Sequence, residues 1–188
     1  VAKFNPAQLP AFAQARNGSS ALTQALAGKQ GGFSNRISIR GGVFRLIAGG
    51  KEIASLEERY LDVVIVNAAE HIGRTYYAGE FNEDQITAPL CYSIDGNTPA
   101  KDSAQPQSDA CATCPQNIKG SSRDGKSRAC GYQQRLAVMI VGDPTNDVYQ
   151  LTLPSRSIFS ESEGDYLAFP QYVKLIIANG RSLEAMIT

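Results

Sequence analysis

Alternation of apolar and polar positions begins at Arg36. Arg36-Ile-Ser-Ile-Arg40 puts its two isoleucines on one side, and Val43-Phe-Arg-Leu-Ile47 follows after a Gly-Gly pair. A period of two over such short runs is a strand signal. Gly49-Gly50 predicts a hairpin turn into Lys51-Glu-Ile-Ala54. Tyr60–Val66 and Arg74–Tyr77 are the next strand candidates, and Leu136–Val141 pairs with Val148–Leu153 across the turn segment Gly142–Asp147. Late in the chain only Gln171–Asn179 has helical spacing, with Gly180 placed as its C-terminal cap. Short, Gly-marked strands with one late helix predict a mainly β barrel or sandwich. Residues 1–32 read instead as an N-terminal arm, where Leu9, Phe12 and Ala13 give a short helical face before Gly28–Gly32 breaks it. The expected organisation is therefore an arm at 1–32 and one β domain at 33–188.

One segment does not fit a β domain. Residues 95–130 contain almost no large apolar side chain and cannot supply a core of their own. All four cysteines, Cys91, Cys111, Cys114 and Cys130, flank it or lie inside it, spaced C-x19-C-x2-C-x15-C. A C-x-x-C turn lets two thiolates reach one tetrahedral ion, and distant cysteines can complete the shell. Metal ligation would fold a polar segment that burial cannot. Structural zinc is the leading expectation, with 91–130 as a zinc-binding insertion. Free buried thiols, two disulfides and an iron–sulfur cluster are the alternatives that spacing leaves open.

Composition adds less than the distribution of charge. The 188 residues balance 18 basic against 18 acidic side chains, and the charged fraction of 19% is modest. Residues 1–51 nevertheless carry seven basic residues and no acidic one, and residues 119–135 carry Lys119, Arg123, Lys126, Arg128 and Arg135 against Asp124 alone. Two basic blocks suit an anionic ligand meeting one face; the plainer reading is solvated loops. The longest apolar runs, Val63–Val66 and Leu136–Val141, fall far short of the ~20 residues of a membrane span. With no continuous apolar segment near the start of the chain, the expectation is a soluble, cytoplasmic protein without membrane contact.

Within the second basic block, Gly120-Ser-Ser-Arg-Asp-Gly-Lys-Ser127 matches the phosphate-loop pattern G-x-x-x-x-G-K-[ST]. A working phosphate loop lies between a buried strand and a helix. Here Cys114–Lys119 precedes it, and the next apolar run follows too closely to leave room for the helix. Nucleotide hydrolysis is not expected. Nor is other catalysis: His71 is the only histidine, and Glu57, Glu58, Glu80, Glu83 and Asp84 lie in turn-like, solvated segments.

The run Pro89–Gly96, then Ser108–Pro115, then Gly120 to Cys130 leading into Arg135–Val138, resembles a group of tailed-phage proteins. Gly41–Arg45 and Arg74–Tyr77 are similar too, so the resemblance covers roughly residues 36–154. That group comprises phage single-stranded-DNA-binding, helix-destabilising proteins. The resemblance implies an OB-like antiparallel barrel with a four-cysteine zinc-binding insertion and a short C-terminal helix. It also implies a non-enzymatic role in phage DNA replication or recombination, in the host cytoplasm, with replication proteins as partners. One feature departs from the pattern: the insertion has no histidine ligand.

Single strands are held by cations that track phosphates and by aromatics on which bases stack. The candidates are Arg40, Phe44 and Arg45 on the first hairpin, Arg74, Tyr76 and Tyr77 on a later strand, and Lys119, Arg123, Lys126, Arg128, Tyr132 and Arg135 around the last cysteine. Alternation sends Phe44 and Arg45 to opposite faces, and likewise Tyr76 and Tyr77, so only one of each pair lines a given groove. The basic arm is a candidate for self-association. The rival expectation is a zinc-knuckle interaction or regulatory module, for example one associated with a polymerase, that binds protein and not DNA.

Overall fold

The computed structural model describes residues 35–79, 88–161 and 166–188. The arm at 1–32 and the carboxylates Glu80, Glu83 and Asp84 lie outside the described residues. The strands are β1 (Asn35–Arg40), β2 (Val43–Ala48), β3 (Lys51–Leu56), β4 (Val63–Ala68), β5 (Gly73–Tyr76), β6 (Cys91–Ser93), β7 (Cys130–Ile140) and β8 (Val148–Pro154). Two α-helices follow, α1 (Ser155–Phe159) and α2 (Phe169–Ala178). The chain is mainly β, as the alternation predicts.

The predicted hairpin between β2 and β3 forms at Gly49 and Gly50, with φ of +57° and +82°. Both central residues of such a tight turn need the left-handed region that glycine enters without steric penalty. Helix α2 starts two residues before its predicted range. Phe169-Pro170 extends it because proline is tolerated in a first helical turn, where its missing N–H has no partner to lose. Gly180 ends it at φ +64°, its N–H donating to the carbonyl of Ile177 at 2.9 Å.

The strands form one eight-stranded sheet in the order β3-β2-β1-β8-β7-β5-β6, with β4 also paired to β7. The expected antiparallel barrel is corrected in two respects. The path runs open from β3 to β6 among the described strands, and β1 pairs with β8 in parallel. Closure needs the end strands to bond each other. Here β4 instead takes the far half of the β7 edge whose near half pairs with β5.

Register puts the core on one face. Ile37 lies opposite Leu46 and Leu151, Leu151 opposite Leu136, and Tyr149 opposite Val138, which itself faces Ile65. With Val63, and without the half-buried Leu151, these residues form the buried cluster, against which Leu151, Phe169 of α2 and Leu183 pack. Thr188 exchanges two backbone hydrogen bonds with Val63, at 2.8 and 3.0 Å. No helix among the described residues is long and apolar enough to cross a membrane.

Candidate metal centre and nucleic-acid interface

Strand β5 is the hinge of the candidate metal site, because it has a neighbour on each side. Tyr76 lies opposite Cys91 of β6 and opposite Cys130 of β7; Arg74 lies opposite Ser93 and Tyr132. Directly opposed residues project from the same face. Cys91, Ser93, Arg74, Tyr76, Cys130 and Tyr132 therefore share one surface, and loop 94–129 folds down over it.

The loop is held by hydrogen bonds rather than by apolar burial. Cys111 donates its N–H to the carbonyl of Asn97 at 2.8 Å and opens a short helical turn, Cys111–Thr113. The side-chain amide of Asn117 donates to the Cys111 carbonyl at 2.9 Å. Asp95 turns the chain out of β6 by accepting from Ser93 Oγ, the N–H groups of Asn97 and Thr98, and Thr98 Oγ1. Those bonds hold its carboxyl far below the usual carboxylate range.

The result brings all four cysteines to one place. Each is buried, at 7–8% exposure, none is in a disulfide, and all four line a single cavity of about 10 Å³. That space suits one atom of water size. Burial pushes the Cys130 thiol up to about 11 and raises Cys111 as well, with Arg74 acting in the opposite direction on both. Among the described residues no three ligand-type side chains already stand as a metal-holding group. The thiols thus ring a cavity without being drawn to a common point. Four thiols are nevertheless the donor type that a structural divalent ion takes.

Arg74 belongs to this interior, not to a DNA-facing surface. It is 9% exposed, and its Nε donates to the Gly96 carbonyl at 3.0 Å. Its remaining nitrogens donate to Asn117 Oδ1 and, at 2.8 Å, to the Tyr132 hydroxyl. The guanidinium also lies 4.1 Å from the centre of the Tyr132 ring.

Four of the predicted DNA contacts meet at a broad depression beside this site. Lys119, Lys126, Arg128 and Tyr132 line a space of about 900 Å³ together with Arg156 and Phe159 of α1. None of its described lining residues is acidic. Arg128 Nε donates to the Asn117 carbonyl at 2.7 Å, which fixes that guanidinium at the rim. Phe159 is 57% exposed and meets Tyr132 edge to face, with ring centres 5.0 Å apart.

The phosphate-loop octet forms one wall of the depression, with its own donors engaged. Gly120 and Ser122 donate their N–H groups to the Ser127 carbonyl, and Lys126 and Ser127 donate theirs to the Asp124 carboxylate. The Ser122 hydroxyl first, and then the Lys126 and Ser127 N–H groups, lower the Asp124 pKa by donating to its carboxylate. A nucleotide-binding loop must leave its N–H groups for phosphate; here the Asp124 carboxylate and the Ser127 carbonyl of the same loop take four of them. The Lys126 side chain, by contrast, lines the depression.

A second, smaller groove of about 390 Å³ crosses the sheet face opposite the core. Arg36, Tyr77, Tyr92, Gln133, Arg135 and Gln150 line it. Burial raises the Tyr77 pKa, with Arg36 opposing. A hydrogen bond with Asp102 raises that of Tyr92.

The remaining predicted contacts are dispersed. Phe44 packs against the core, Tyr76 lines the cysteine cavity, and Arg45 pairs with Glu52 at 3.0 Å. Arg123 donates to the Ala78 carbonyl at 2.9 Å, and the side chain of Arg40 lies outside the described part. His71, Glu57 and Glu58 are exposed. Sequence reasoning misses Arg36, Tyr92, Arg156 and Phe159. Alternation with Ile37 is signal enough for Arg36, and none exists for α1, a five-residue helix placed by its neighbours.

Comparison with protein-family models, with curated proteins and with solved structures gave no match.

Proposed function

We propose that the protein binds single-stranded DNA without sequence preference, in phage DNA replication or recombination, on a scaffold whose cysteine loop is held by structural zinc. The depression carries this reading: four cations and two aromatic rings line one surface, with no carboxylate among its described lining residues. Cations there take phosphates, while Phe159 and Tyr132 offer faces and edges to bases. The sheet groove, with Arg36, Arg135, Tyr77 and Tyr92, is a second place for the same strand. Use of an open strand face beside basic loops is the OB-like element of the proposal. Cys91, Cys111, Cys114 and Cys130 would hold the ion, which supplies ligation energy to a loop that lacks a core.

Fluorescence anisotropy of metal-replete protein with single- and double-stranded oligonucleotides tests this. Single strands should bind more tightly than duplex, and affinity should fall steeply between low and high salt, where counterion release contributes less. Lys126→Glu combined with Arg128→Glu should weaken binding by about tenfold or more and lower the salt slope by roughly one per cation. Duplex preference, or equal binding at both salt concentrations, sinks the proposal. Affinity unchanged by the double reversal would favour a protein-docking module instead. The exposure of Ile94 (55%) and Ile118 (63%) on the cysteine loop points toward that reading.

A further inference from the structure

Arg74 is a buried cation held by neutral groups. A carbonyl, an amide oxygen and a phenol hydroxyl take its hydrogen bonds, and no carboxylate among the described residues forms an ion pair with it. At 9% exposure it has given up most of its water. Such a charge is strongly unfavourable unless an opposite charge sits close by. The hydrogen bonds satisfy its donors but leave its charge uncompensated.

The four cysteines share its cavity, and no carboxylate is among the described residues that line it. As thiols they offer no negative charge. A divalent ion within four thiolates, however, is a net anion, and burying that anion is as costly as burying the guanidinium. Each therefore offsets the other. We infer that Arg74 is the counter-charge of a tetrathiolate metal centre at Cys91, Cys111, Cys114 and Cys130, and that it selects the charged, metal-loaded state of the loop. Register supports this placement. Arg74 stands two residues from Tyr76 on β5, and Tyr76 separates Cys91 and Cys130 across the sheet, so the guanidinium projects on the cysteines' own face. Its bonds to Gly96 and Asn117 tie it to both ends of the segment that carries Cys111 and Cys114. The inference rests on the metal reading of the four cysteines given above.

Metal titration decides it. Cobalt(II) added to reduced wild-type protein should give thiolate charge-transfer and tetrahedral ligand-field bands, and zinc affinity follows from competition with a chromogenic chelator. Arg74→Gln should weaken zinc binding about 10- to 100-fold, the range typical of residues that support metal ligands. The cobalt spectrum of the saturated variant should keep its tetrathiolate form. Arg74→Lys should recover much of the affinity, since it restores charge without the planar hydrogen bonds. Tyr132→Phe removes one of those bonds and keeps the charge, so its zinc affinity should stay near wild type. Equal affinities for wild type and Arg74→Gln overturn the inference, as does a loss in Tyr132→Phe as large as in Arg74→Gln. A wild-type protein with no cobalt thiolate bands instead overturns the metal reading itself.

Discussion

Tyr76 and Tyr77 are adjacent in sequence and do unrelated work. Tyr76 sits between Cys91 and Cys130 and lines their cavity, whereas Tyr77 is 52% exposed in the groove on the other face. Strand geometry makes this division, since neighbouring side chains project oppositely. Tyr77→Ala should therefore weaken single-strand binding by about 1–3 kcal/mol, the worth of one stacked base, and leave thermal stability within about 0.5 kcal/mol. Tyr76→Ala should do the reverse, lowering the melting temperature and zinc retention first. Anisotropy and thermal melts on the two variants separate the roles. Phe44 and Arg45 repeat the lesson, one packed against the core and the other paired with Glu52. Alternation predicts that such neighbours part company. It does not say which face meets the core, because that depends on strands far away in sequence.

At the scale of elements, β7 organises the molecule. Its first residues pair with β5 and carry Cys130 and Tyr132, while its later residues pair with β4 and carry Leu136 and Val138 of the core. Sequence reasoning begins this strand at Leu136, where the apolar run starts, and so treats Cys130 as the end of a separate insertion. The structure shows the cysteine segment entered from β6 and left through β7, with both flanking cysteines inside strands. Gly96 is where the loop first turns back. Its φ is +74°, and a Cβ there would sit 2.5 Å from the Ile72 carbonyl oxygen. Gly96→Ala should cost at least about 1–3 kcal/mol from the left-handed conformation alone. The clash adds to that and shifts the carbonyl that Arg74 uses. A lowered melting temperature of the metal-loaded protein, beyond that of a surface Gly125→Ala control, checks it.

For the whole molecule, two kinds of cohesion coexist. One end of the sheet is closed by Ile37, Leu46, Ile65, Leu136, Val138 and Tyr149, and the other by thiols and a guanidinium beneath a polar loop. On the proposed zinc reading, removal of the metal should act on the second end alone. Under chelation and reducing conditions, limited proteolysis should cut within 94–129 first, while the β1–β2 and β7–β8 hairpins stay protected; global unfolding on chelation would contradict that division. Exposure of the loop should also lower single-strand affinity, because the walls of the depression at Lys119, Lys126 and Arg128 belong to it.

Local pattern was enough for most strand positions, though not for β6 or the first residues of β7, and for the Gly49-Gly50 turn, the late helix, and the expectation that 95–130 needs more than a core to fold. These are properties of short windows, where period and turn chemistry act without help from distant residues. The grouping of Cys91 with Cys111, Cys114 and Cys130 was legible from spacing, though not the cavity they share. Open edges in place of a closed barrel, the inward turn of Arg74, and the meeting of Arg156 and Phe159 with the basic loop came only with tertiary structure. Each depends on which strand pairs with β7 along which part of its length, and that choice is made by burial summed over the whole sheet. The phosphate-loop octet shows the same limit: its letters are local, but its N–H groups were committed to Asp124 and Ser127 by the folded loop.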